Sequence, residues 1–256
     1  MPLAPVARGA AGLAALFLLL EAITRAELVN PVYLPPASTV VATAARLLLD
    51  PVFLASVGGT LVAWGLGLAA AAVVAVPLGL LLGASRRAHA ATAAAIELLR
   101  PIPSVALIPL AILLLGRGID MRVALVAYAA TWPLLFNTVY GAHAVDPVAL
   151  EMARAYGLGR WAVARHVAFP SALPFVLTGL RISAAIALIL AISTELIAGG
   201  GAGLGTWMLS SSQTGVPREL LYAGIVVAGL LGLVIDRLML VAERRLVAWH
   251  PRLRAA

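Results

Sequence analysis

The chain has 256 residues, 62% of them hydrophobic and only 11% charged, with a mean hydropathy of +1.03. Soluble domains run nearer 45–50% apolar and about 25% charged, so the composition excludes an ordinary water-soluble enzyme and places the chain in a bilayer. The absence of cysteine excludes disulfides, thiolate metal sites and cysteine nucleophiles, and the net charge of +7 rests on arginine with no lysine at all.

The arginines are scattered and lack interleaved exposed aromatics, so they do not form a nucleic-acid footprint. A membrane span needs about 20 mostly apolar residues. Six stretches qualify, at about 8–25, 57–83, 91–115, 121–141, 172–197 and 221–241. The first follows MPLAPVAR and has the look of a secretory signal. It is long enough to span, carries Glu21 near its end and is followed by no small-x-small cleavage site, so it is read as a transmembrane helix. After it, Pro35-Pro36 stops any incoming helix. Ser38 is then the expected N-cap of a short amphipathic helix over 39–49. Val40, Val41, Ala44, Leu47 and Leu48 share one face, which suits the membrane surface.

Gly58, Gly59, Gly65, Gly67 and Gly79 in the second span allow close helix approach. The third span holds Glu97 and Arg100, close enough to pair, and then Pro101 and Pro103. A broken helix inside a membrane is tolerated where it is buried or lines a cavity. Residues 100–109, Ser104 among them, are therefore expected either to line or gate a pathway or to form a plain proline kink. Arg181 and Glu195 in the fifth span and Asp236 in the sixth are costly in lipid and expected to face the interior. Arg181 would attract an anion or pair with an acid. Glu195 suits structural hydrogen bonding or gating, and Asp236 helix-end or intersubunit pairing. Trp64, Trp132, Trp207 and Trp249 read as interface aromatics. His89, His143, His166 and His250 lie far apart, and no metal site is expected from them. GGGAGLG at 199–205 reads as a flexible turn. With no lysine, no GxxxxGK[ST] phosphate loop exists.

With the N-terminus inside, Arg8, Arg86, Arg87, Arg154, Arg160, Arg165, Arg244, Arg245, Arg252 and Arg254 fall on inner segments. Arg25, Arg46, Arg117, Arg122 and Arg218 fall on outer ones, so the bias puts both termini and residues 142–170 in the cytoplasm. That segment is a polar interruption. Asp146-Pro147 starts a helix, Gly157 stops it, Gly159 adds a second permissive point, and RWAVARHVAF restarts a helix before Pro170 and Pro174. The pattern predicts two short helices projecting from the bilayer.

Glu151-Met152-Ala153, then Gly157, then Val167-x-Phe-Pro170, resembles the EAA loop of permease subunits of bacterial ABC importers. Met152, Val167 and Phe169 depart conservatively from that pattern. LPPASTVVATAARLL, PLGLLLGASRR, LRPIPSVALIPLAILLLG, the run from Leu177 to Gly205 and the stretch YAGIVVAGLLGLVIDRLMLVAERRLVAW resemble the nitrate/sulfonate/taurine branch. The likeness covers most of the chain from about residue 33 onward.

The resemblance implies an all-α, polytopic bundle of about six spans, a type I importer permease forming one domain over 1–256, in the bacterial inner membrane. It implies that 142–170 is a coupling loop docking on a separate ATPase through Glu151, Met152, Ala153, Gly157, Leu158, Gly159, Arg160 and Pro170. The expected pathway residues are Arg100, Pro101, Pro103, Ser104, Arg181 and Glu195. The implied partners are a second permease copy, two ABC ATPase subunits that bind the ATP, a periplasmic or lipoprotein substrate-binding protein, and lipid. The chain itself is expected to be non-catalytic and without cofactor. The implied substrate is a small anion such as a sulfonate, taurine or nitrate. An ion-gradient-driven secondary transporter using Glu97 or Glu195 is the alternative.

Overall fold

A computed structural model describes residues 3–30, 33–99, 101–213 and 217–247. Its helices are α1 (Leu3–Arg25), α2 (Ala37–Leu47), α3 (Pro51–Ala84), α4 (Arg86–Leu99), α5 (Ile108–Leu115), α6 (Ile119–His143), α7 (Pro147–Ala155), α8 (Arg160–Val163), α9 (Phe169–Ala198), α10 (Leu204–Gln213) and α11 (Glu219–Leu246). A 3₁₀ turn, Ser104–Leu107, leads into α5, and a π-helical segment, Ala164–Ala168, fuses α8 to α9. Among the described residues, four helices are long and apolar enough to cross a membrane: α3, α6, the fused run Arg160–Ala198, and α11. The first expected span lies within α1. The third is split into α4 and the 3₁₀–α5 unit, with the break at the prolines.

The bundle is organised around α3, α6 and α9. Gly67 of α3 faces Val126, Gly79 faces Thr138, and Gly83 faces Ala142. Both numbers rise together, so α3 and α6 run parallel in constant register. Parallel neighbours need a crossing between them, and the broken third span supplies it. Gly141 against Ala172 and Gly179 against Leu134 set α9 antiparallel to α6. Hence Gly67 and Gly79 act as the sequence suggests, while Gly58 and Gly65 have nothing within 4 Å in this chain. Buried Leu68, Val126, Ala184 and Leu188 fill the centre of the three-helix core. Two hydrogen bonds cross it: Ser183 Oγ donates to Ala130 O at 2.7 Å, fully buried, and Trp64 Nε1 to Ala184 O at 2.9 Å, half-buried.

Several local expectations change. Trp64 is therefore an interhelical donor rather than an interface aromatic, and Trp207 stacks edge-on against Phe53 at 4.8 Å within a packed cluster. Helix α2 starts at Ala37 after Pro36, two residues earlier than expected. Ser38 is not its cap: Ser38 N and Oγ both donate to Glu21 of α1, at 2.9 and 2.7 Å. The α2 face of Val40, Ala44 and Leu47 is buried, packing with Val227 of α11, while Val41 and Leu48 stay exposed. Arg122 lies inside α6, not in a loop, and is buried. The second arm of the hairpin is not a separate short helix, because it runs on into α9.

Candidate functional site

All chain ends of the core helices fall into two groups. One end of the bundle gathers the hairpin between α6 and α9, with the C-termini of α3 and α11. The other gathers α2, α10 and the glycine loop 199–205.

At the hairpin end, α7 is capped by Asp146, whose side chain accepts from Val148 N at 2.9 Å. The helix ends in a Schellman turn: Leu158 N donates to Ala153 O at 3.1 Å and Gly157 N to Arg154 O at 2.9 Å. That turn needs a left-handed residue, and Gly157 sits at φ +75°. Gly159 is different. Its φ of −64° and ψ of 160° are extended backbone open to any residue, so it is not a second glycine-dependent point. Ala153 is 6% exposed and turned into the chain, whereas Glu151, Met152, Leu158 and Arg160 are exposed. Tyr156 and Trp161 are 82% and 79% exposed. The knob thus presents a mixed face of large apolar side chains rimmed by Glu151, Arg154 and Arg160. Behind it lies a cavity of about 370 Å³ bounded by Leu80, Val145, Arg154, Arg160 and Phe169. Pro170 is absorbed by the π-helical segment, where Phe169 N reaches back five residues to Ala164 O. The wider turn accommodates a residue that cannot donate.

The expected pathway residues do not form one cluster. Arg100 lies outside the described residues. Pro101 and Pro103 are exposed and Ser104 is half-buried at the break between α4 and α5, where Tyr128 Oη donates to Leu99 O at 2.8 Å. Glu97 is exposed on α4. Arg181 pairs with Asp236 of α11 in a two-pronged contact, Nε to Oδ1 at 2.7 Å and Nη2 to Oδ2 at 3.1 Å. Asp236 therefore pairs within the chain, between helices. The pair borders an open, largely apolar cavity of about 500 Å³ between α9 and α11, lined also by Leu188, Ile192, Gly229 and Gly232.

Glu195 lies at the opposite end and is 0% exposed. Its Oε1 accepts from Arg122 Nη1 at 3.0 Å. Its Oε2 accepts from Thr60 Oγ1 at 2.8 Å and from Gly205 N at 2.9 Å. Arg122 Nη1 also donates to Ala202 O at 2.8 Å, and Leu204 N donates to Thr60 Oγ1 at 2.8 Å. Arg122 Nε is buried without a partner. The glycine run is not a flexible turn. Gly199, Gly200 and Gly201 are all left-handed, at φ +64°, +82° and +71°. A Cβ on Gly201 would stand 2.9 Å from Arg122 Nη2, and one on Gly203 would collide with the Glu195 carboxylate. Arg122 and Thr60 are the members that sequence reading missed. The available signal was an acid in a span followed four residues later by a glycine run, which implies backbone closing over a buried carboxylate.

The family described as binding-protein-dependent transport system inner membrane component matches residues 75–248. A putative ABC transporter permease protein of Methanocaldococcus jannaschii is 31% identical over 188 residues, covering 73% of this chain and 70% of that one. The taurine transport system permease protein TauC of Escherichia coli is 29% identical over 229 residues, covering 88% of this chain and 82% of TauC. In fold, an inward-facing form of the MetNI methionine ABC transporter superposes with a TM-score of 0.64 at 19% identity, over 79% of this chain and 97% of that one.

Proposed function

The chain belongs to the family of binding-protein-dependent transport inner membrane components, as the permease subunit of an ABC importer, and from that premise we propose that the hairpin at 142–170 is its ATPase contact. The observation that carries this reading is the exposed face of the capped α7 knob. Tyr156, Leu158, Trp161 and Met152 are too large and apolar to be left in water without a partner, and Glu151, Arg154 and Arg160 give such a contact register. Gly157 fixes the knob's shape and Ala153 lets α7 sit close against its own chain. The energy then comes from ATP bound by two separate subunits, since this chain has no phosphate loop and no lysine. The knob end is cytoplasmic, the glycine-loop end faces the binding protein, and the membrane is the bacterial inner membrane.

The substrate is a small anion of the sulfonate, taurine or nitrate type, a reading supported by the likeness to the taurine permease. The pathway forms where a second copy of the chain meets the broken third span, with Pro101, Pro103 and Ser104 at that break; the Arg181 cavity lies apart from it, between α9 and α11. Glu195 contributes from within the fold rather than by touching the solute. The test is Glu151→Lys and Gly157→Arg in a complex purified through its ATPase. Both variants are expected to lose the ATPase from the complex while the permease stays in the membrane. Full retention of the ATPase by both would overturn the assignment.

A further inference from the structure

Helix α10 begins in an unusual way. The first amides of a helix have no partner within it and must find one elsewhere. In α10 they find it on two other helices: Leu204 N donates to Thr60 of α3, and Gly205 N donates to Glu195 of α9. Thr60 is itself fully buried, and its hydroxyl donates a hydrogen bond to Glu195. The Glu195 carboxylate is held in turn by Arg122 of α6, which also grips the carbonyl of Ala202 just before α10. One buried carboxylate thus joins α3, α6, α9 and the start of α10.

The glycine loop closes the joint. Gly200 packs on the backbone of Arg117, Gly201 on the guanidinium of Arg122, and Gly203 on the carboxylate of Glu195. Gly205 packs on the Ile192 carbonyl, and Gly59 of α3 packs on Ala202. To slide α10 relative to α3 or α9 would strand two buried amides and a buried charge. Such groups are costly in any medium without water to replace their partners.

We propose that Arg122, Thr60 and Glu195 are positioning residues for transport. They weld the loop ends of α3, α6 and α9 to α10, so that α10 is carried as part of a rigid block when the core helices tilt and does not move as a separate flap. This goes beyond the coupling role of the hairpin and holds whether or not the hairpin is the ATPase contact.

The chain has no cysteine, so Leu54→Cys on α3 and Ser212→Cys on α10 give a clean pair of spin-label sites, both exposed. The distance between them is read by pulsed electron resonance in the full complex assembled from one doubly labelled copy, one unlabelled copy and cysteine-free partner subunits, without nucleotide and trapped with ATP and vanadate. The expected result is one narrow distance, the same in both states. Thr60→Val and Glu195→Gln are expected to lose that single narrow distance, and Thr60→Ser, which keeps the hydroxyl, to restore it. A wild-type distance that differs between the two states would overturn the proposal. So would Thr60→Val or Glu195→Gln complexes that keep the narrow distribution. If Glu195→Gln fails to assemble, the Thr60 pair and the wild-type comparison decide by themselves.

Discussion

Gly79→Ala and Gly65→Ala add the same methyl group to the same helix, and the structure gives them opposite signs. Gly65 has nothing within 4 Å of the position a Cβ would take. Alanine there recovers helix propensity, about 0.5–1 kcal/mol. At Gly79 the new Cβ would lie 2.6 Å from Thr138 Cβ and 3.1 Å from Leu135 O. Thr138 has no room to yield, because it is fully buried and its Oγ1 is tied to Leu134 O at 2.7 Å. Carbon contacts settle at about 3.5–4.0 Å, so α3 and α6 must part by about 1 Å. Overpacking of that kind costs about 1–3 kcal/mol, which outweighs the propensity gain. The two proteins should therefore differ by about 2 kcal/mol, or about 4–8 °C in unfolding midpoint by the scaling for 150–250 residues. Tryptophan-monitored thermal unfolding in detergent measures this directly. A Gly79→Ala protein that melts with Gly65→Ala, at or above the wild type, would refute the close parallel seam.

At Gly157 the constraint is backbone alone, since φ is +75° and no atom lies within 4 Å of a would-be Cβ. Gly157→Asn should keep the ATPase bound, while Gly157→Val should weaken it by the about 1–2 kcal/mol that a left-handed residue with a Cβ costs, read as a shift in ATPase titration of the purified permease. The Arg181–Asp236 pair is more than a third exposed, at 35% and 41% for the two side chains. Its double-mutant cycle in thermal unfolding should then give a coupling of about 0.2–1 kcal/mol. If Arg181 also meets an anion, Arg181→Ala should slow uptake of the transported anion in the Asp236→Ala background as well, and an unchanged rate there would remove Arg181 from the pathway.

The span pattern, the break at Pro101 and Pro103, and the hairpin's first helix between Asp146 and Gly157 were legible because each follows from a local rule. Apolar length, missing donors and left-handed turns are written into consecutive residues. What was not legible depends on residues far apart in sequence. Arg122 looks like a loop arginine until α6 is placed beside α9, and Thr60 shows nothing until residue 204 is beside it. The glycine run looked loose because glycine is also the residue of flexible linkers. Only the carboxylate of Glu195, packed against Gly203, shows that the small residues are there to fit. Ser38 failed as a cap for a related reason. Its best partner, Glu21, lies 17 residues back on another helix.

These long-range bonds also say where the bundle is stiff. Between α3, α6 and α9 the polar links Glu195 with Arg122 and Thr60, and Ser183 with Ala130, are buried, and Trp64 with Ala184 is half-buried. No water competes with such bonds, so each retains most of its strength. Between α9 and α11 the polar links include Arg181 with Asp236, half-buried, and Thr178 with Glu243, exposed, and a cavity of about 500 Å³ lies beside the first. Links that are only partly buried hold less firmly than the fully buried ones. A force applied to the hairpin enters α6 and α9 through their own chain and passes to α3 through the glycine seam. It meets no soft layer until it reaches α11. Shear between α9 and α11 would therefore strain fewer buried polar links than shear within the α3–α6–α9 core, and it would load the Arg181–Asp236 contact.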